Sequence, residues 1–274
     1  MGRSIMNSLM DAGYTASAII SGSEYSAKSL ADKIGIDKFG TSYSILTDDT
    51  NLIIIAVRDD RLEKVIETLN SNWIFNSEVL VVHTSGIQES TIMDSLLNKG
   101  AKIASIHPTA SFPKDAVLPL KNVHFGVEGI NSKEAAELVK SIGGIPFKIE
   151  TGKKALYHVA CTVASGYLNT LLTVSQELMG QAGVESPKNI INDLSKTAMD
   201  GWNEKGFTAI TGSIVRGDVD SVRKHMNAFD EMDKNRDIYS ELAFKTVELC
   251  KEKGLIDKIT SEKFKKMLNS GMSG

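Results

Sequence analysis

Two apolar runs, in "NLIIIAV" (51–57) and "EVLVVHTSG" (78–86), constrain the fold more than anything else in this chain. A strand with one wet face alternates apolar and polar residues. These runs do not alternate, so they read as strands covered on both faces, as in the interior of a parallel sheet. A helical stretch (62–69) separates them. Further β-rich runs obey the same grammar: "ASAIIS" (16–21), "KIASIHP" (102–108), "VHFGVEG" (123–129) and "IPFKIE" (145–150), with a second helical stretch at 132–142. Strand–helix alternation of this kind predicts an α/β fold with a mainly parallel sheet.

After residue 150 the grammar changes. Helical segments are expected near 153–181, 187–201, 219–230 and 234–254, with a weaker one near 260–269. Breakers separate them: "AGVESP" (182–187), "NEKGFTAITGSIVRGD" (203–218) and Gly254. The expected organisation is a sheet domain over 1–150 and an all-helical domain over 151–274. The second is expected to be a bundle that covers the open edge of the sheet and forms a homodimer.

Composition narrows the classes of partner. With 42% hydrophobic and 24% charged residues, the chain has the make-up of a soluble globular protein. A net charge of −3 and the lack of a basic cluster argue against nucleic acid or an anionic membrane as the main partner. Cys161 and Cys250 fit neither a disulfide framework nor a metal pattern, so no metal is expected and a reducing cytoplasm is the simple compartment. No window approaches the roughly 20 apolar residues of a membrane span, and the first residues do not read as a signal peptide.

Ligands of open parallel sheets bind beyond the carboxyl ends of the strands. The residues at and just past those ends are Ala56 and Val57, then His83, Ser85 and Gly86 in "HTSG", then His107 in "IHPTASFP". Each histidine either faces a ligand or caps its strand end through backbone carbonyls. At the N-terminus, Gly2 and Arg3 open a helix, as the last glycine of a dinucleotide-binding loop would. Only Met1 precedes Gly2, so the expectation is that this sequence lacks the first strand of that fold and binds a dinucleotide weakly. About 20 positions beyond that glycine, the fold places the residue that reads the cofactor ribose. That count reaches Ser21, Gly22 and Ser23, where a carboxylate would repel a 2′-phosphate; NADP is therefore expected rather than NAD.

The segment "KKALYHVACTVASGYLNTLLTVSQELMG" (153–180) is apolar around most of its circumference and is expected to be buried. One face nonetheless carries Lys154, His158, Ser165 and Asn169. Such a stripe is either a hydrogen-bonded seam or the wall of a cleft. In the second case Lys154 and His158 could polarise a carbonyl and pass a proton. In "FTAITGSIVRGD", Thr211 and Arg216 are candidates to hold an anionic group, unless Arg216 pairs with Asp218. Asp218 is placed to cap the next helix.

Taken in order, "HTSG", "IHPTASFP", "KKALYHVACTVASGYLNTL" and "AITGSIVRGD" resemble the family that joins a Rossmann-like domain to domain of unknown function 2520. That family is distantly similar to ketopantoate reductase, pyrroline-5-carboxylate reductase and 6-phosphogluconate dehydrogenase. The resemblance implies an N-terminal NADP-binding domain, a helical dimerisation domain and an oxidoreductase activity on a small carbonyl, imine or hydroxy compound. The alternative it leaves open is a non-catalytic dinucleotide-binding regulator or inactive homologue. Lys154 matches the lysine that contacts substrate in the related dehydrogenases, and His158 stands where they carry asparagine. Two positions depart from the family pattern: Gly22 replaces an arginine, and Ser213 replaces the proline of a "TGP" turn.

Overall fold

The computed structural model describes residues 1–75, 78–113, 116–229 and 233–270. The chain divides into two compact units, Met1–Tyr167 and Leu168–Gly274. The change of grammar near residue 150 thus precedes the end of the first unit, which extends through the next helix.

The first unit opens with α1 (Gly2–Asp11), β1 (Ile19–Ile20), α2 (Glu24–Ile34) and β2 (Phe39–Gly40). β1 and β2 pair in parallel as a separate two-stranded sheet. α2 begins at Ser23, whose hydroxyl accepts from the Ser26 amide, and ends at Gly35 in the left-handed conformation. The main sheet contains β3 (Leu52–Ile55), β4 (Leu80–His83), β5 (Lys102–Pro108), β6 (His124–Glu128) and β7 (Ile145–Lys148), in that spatial order. All neighbours run parallel except β5 and β6. β1 and β3 are not paired; near their starts the Ser17 and Thr50 hydroxyls lie 3.5 Å apart.

The continuously apolar strands are explained by cover on two sides. On one face Val82, Ala104 and Ile106 pack with Ile5 and Leu9 of α1 and with Leu138 and Val139 of α5 (Ser132–Ser141). On the other, Val81 and Ile103 pack with Leu62, Ile66 and Leu69 of α3 (Asp59–Ser71) and with Leu96 of α4 (Asp94–Leu97). Successive residues of one strand, such as Val81 and Val82, therefore belong to different cores, which is why these runs do not alternate. The unit ends with α6 (Lys154–Thr162) and a π-helical turn, Val163–Tyr167.

The second unit contains α7 (Leu168–Gln181), α8 (Pro187–Lys205), α9 (Val219–Asn227), α10 (Asn235–Glu252) and α11 (Lys258–Ser270). Residue 230 of the expected helix 219–230 lies outside the described residues. The core of this unit joins Val222 and Met226 to Val247, Cys250, Phe264 and Leu268. Asp218 caps α9, accepting from the Ser221 amide at 3.0 Å and its hydroxyl at 2.6 Å, as its position suggests. Among the described residues no helix is long and apolar enough to cross a membrane.

The expectation that 153–180 is buried needs correction. Leu156 is 68% exposed, Val159, Val163 and Tyr167 are exposed, and no residue of α7 is buried. An apolar circumference supplies burial only where a partner surface exists.

Candidate active site

The carboxyl end of the main sheet carries a polar row. Strand register places His83 of β4 beside Ser105 of β5, and Ser105 beside Glu128 of β6. All three are buried, as are Thr84 and Ser85 in the turn after β4. The His83 Nδ1 accepts from the Ser85 amide at 3.2 Å, and its Nε2 lies 3.2 Å from the Glu89 carbonyl. Expected at the cleft rim, His83 instead sits inside the turn with both ring nitrogens engaged by backbone. The Ser85 hydroxyl closes the same turn by accepting from the amides of Ile87 and Gln88.

Lys154, in the first turn of α6, has no exposed surface. Its Nζ donates to the Ser85 carbonyl at 2.7 Å and to the Ser105 hydroxyl at 2.8 Å. Burial pushes its pKa down to about 8, against the pull of the Glu128, Glu89 and Asp59 carboxylates. One helical turn on, His158 is half-buried and faces Gly86. A Cβ on Gly86 would stand 2.5 Å from the His158 Cδ2 and 2.8 Å from the His107 Nε2. The missing side chain is what lets both imidazoles reach the strand end; their ring centroids are 5.9 Å apart.

His107 is oriented from behind. Its Nδ1 lies 2.8 Å from the Tyr157 hydroxyl. Room for that phenol comes from Gly126, directly across from His107 in the β5–β6 ladder, where a Cβ would approach the Tyr157 Oη to 3.1 Å. Burial, and then the neighbouring Cys161 thiol, push the Tyr157 pKa upward, so the phenol remains protonated and able to donate to Nδ1. A donating Tyr157 puts the proton of the neutral imidazole on Nε2, the nitrogen nearest Gly86.

Burial lowers the pKa of His107 to about 4, with further lowering from the charges of Lys154 and His158. Burial, with Lys154 second, lowers that of His83 to about 3. Below the ordinary histidine value of 6.5, the unfolded chain binds protons that these folded-state rings refuse. Stability conferred by the two neutral rings is present above that value and is lost as pH falls from about 6.5 toward 4 and 3. Thermal unfolding from pH 7 to pH 4 should show a falling midpoint, and the decline should be shallower in His107→Gln. An equal slope in the variant would contradict the assignment.

The remaining sequence candidates divide between the units. Gly2 and Arg3 open α1, where no side chain caps the helix; a Cβ on Gly2 would stand 3.1 Å from that of Ala56. Ser21, Gly22 and Ser23 join β1 to α2, and Val57 lies exposed beyond β3. Ser165 lies in the π turn and donates to the Cys161 carbonyl. Asn169, Thr211 and Arg216 belong to the second unit. Thus the structure joins Ser85, Gly86, His107, Lys154 and His158 in one cluster. Sequence reasoning missed Glu128, Ser105 and Tyr157. The only available signal for the first was one carboxylate inside the β-rich run "VHFGVEG".

Two domain models match different parts of the chain. Residues 1–108 match a Rossmann-like domain and residues 123–246 match the domain of unknown function DUF2520. These are the two domains to which the sequence motifs pointed. No curated protein matches the chain. Among solved structures, a Thermotoga maritima protein, TM1727, superposes with a TM-score of 0.70 at 22% identity, over 92% of this chain and 95% of that one. An imine reductase from Myxococcus stipitatus, in complex with NADP+, gives 0.61 at 11% identity, over 100% and 92%. A pyrroline-5-carboxylate reductase from Coxiella burnetii gives 0.54 at 14% identity, over 99% and 93%. At these identities the likeness establishes a shared fold.

Proposed function

We propose that this chain, which carries a Rossmann-like domain and a DUF2520 domain, is an NADP-dependent oxidoreductase acting on a small anionic carbonyl, imine or hydroxy compound. The observation that carries this reading is the convergence of His107 and His158 on Gly86 at the carboxyl end of the sheet. Ligands of open parallel sheets bind there.

The residues present fit a dinucleotide. Gly2 leaves the α1 terminus open beside Ala56, and helix N-termini favour phosphate. The Thr84 hydroxyl is buried beside the site and has no hydrogen-bond partner among the described residues; a ligand group can supply one. Gly2 and Arg3 would hold the pyrophosphate, Ser21, Gly22 and Ser23 the ribose, and Ala56, Val57, Ser85 and Gly86 the remainder. Preference for NADP is supported by the lack of a carboxylate at Ser21–Ser23 and by the NADP+ held by the similar imine reductase. When bound, the cofactor supplies or accepts the hydride.

The chain's own contribution is proton handling and orientation. His158 holds the proton exchanged with the substrate oxygen or nitrogen. His107, kept neutral, presents its Nε2 proton to the same atom. Lys154 acts from behind the Ser85 carbonyl, adding positive charge near the polarised bond without touching it. The exposed apolar residues of α6 and the π turn, and separately Ile190, Leu194 and Trp202 of α8, support a homodimer.

One observation favours the rival reading of a non-catalytic dinucleotide binder: the lysine matching the related dehydrogenases has no exposed surface. Titration with NADPH, followed by nicotinamide fluorescence, tests what the two readings share. Saturable binding, tighter than that of NADH, is expected; lack of saturation with either dinucleotide overturns both. Turnover with a panel of carbonyl and imine acids then separates them.

A further inference from the structure

Glu128 is 1% exposed and takes no part in the binding or proton handling assigned to the site. Three donors point at its carboxylate. The Ser90 amide donates to Oε2 at 2.8 Å, the Ser90 hydroxyl to Oε1 at 3.0 Å, and the Ser105 hydroxyl to Oε2 at 3.2 Å. The third bond has a fixed direction. Ser105 has one hydroxyl proton and already accepts from Lys154, so that proton is committed to Glu128. Charge is thereby matched across a single hydroxyl, from ammonium to carboxylate, in a region closed to water. A buried carboxylate is costly unless it has such a partner.

We propose that Glu128 is a positioning residue: through Ser105 it holds the Lys154 ammonium against the Ser85 carbonyl, fixing the Ser85–Gly86 edge on which His107 and His158 converge. The arrangement ties five separate segments together at one point: β6, β5, the turn after β4, the short helical turn containing Ser90, and α6. Its importance for turnover rests on the oxidoreductase reading, but its electrostatic effect does not. Charged and titratable groups acting on or with Lys154 are Glu128 from β6, Glu89 from the turn after β4, Asp59 from α3, His83 and His107. Of the carboxylates, only Glu128 reaches it through a hydroxyl bonded to both.

The test is the titration of Lys154 in the cofactor-free protein, read by NMR of lysine side-chain carbons. Burial places its midpoint near 8, well below the ordinary lysine value of 10.5. In Glu128→Gln, which keeps shape and removes charge, the midpoint should fall from about 8 by roughly one unit or more. Ser105→Ala keeps both charges and removes the bridge, and it should move the midpoint in the same direction by less. A purely packing role would lower the melting temperature of both variants and leave the Lys154 midpoint where it was. That result overturns the proposal, and Ser105→Ala alone decides it if Glu128→Gln does not fold. Failure of NADPH to bind the parent protein defeats the oxidoreductase reading and leaves this titration interpretable.

Discussion

Replacing Lys154 with methionine is expected to lower the free energy of unfolding by about 3–5 kcal/mol, the usual cost of removing one partner from a buried charge pair. The size comes from the groups left behind. Glu128 would remain 1% exposed with no cation, and the Ser85 carbonyl would lose its donor at 2.7 Å. Methionine fills similar volume, so the loss would not be one of packing. Denaturant unfolding measures the difference directly. The pair logic adds a second result: Lys154→Met combined with Glu128→Gln should regain part of the loss, since no lone charge then remains. If Lys154→Met is nearly neutral, the buried network is not a structural element.

Gly86→Ala is expected to act on activity far more than on stability. The new Cβ would occupy space within 2.5–3.0 Å of atoms of His158 and His107, so both rings must move. Displacing reacting groups by about 1 Å can cost on the order of a hundred-fold in rate. Overpacking of one methyl group costs about 1–3 kcal/mol, within what a domain of this size tolerates. The expected pattern is a folded protein that loses about two orders of magnitude in kcat, with dinucleotide binding weakened far less because Gly2, Arg3 and Ser21–Ser23 are untouched. Unchanged turnover would show that the imidazole pair is not the reacting surface.

Much of this arrangement was legible in the sequence, for reasons that can be named. The continuous apolar runs announced strands covered on two faces. "HTSG" and "IHP" each marked a strand ending in histidine on the side where ligands bind. Gly86, His107, Lys154 and His158 could each be picked out by local pattern. Glu128 could not, because its meaning depends on the antiparallel pairing of β5 with β6. That pairing brings it to Ser105, 23 residues away in the chain. Nor could helical spacing show which member of the polar stripe turns inward: Lys154 is enclosed and His158 half-buried, while Ser165 on the same stripe is exposed. β2, at two residues, is too short to leave a pattern. Burial of the 153–180 segment was over-read because hydrophobicity registers the need for a partner and not its presence.

The central claim is that the dinucleotide and its reaction partner meet at Gly86. The most direct measurement is an NADPH titration followed at the imidazole resonances of the five histidines. His107 and His158, which border Gly86, should shift together and saturably. His225, whose Nδ1 lies 2.7 Å from the Tyr239 hydroxyl in the second unit, should not follow them. Saturable binding that leaves His107 and His158 unmoved, or no saturable binding, would contradict the account.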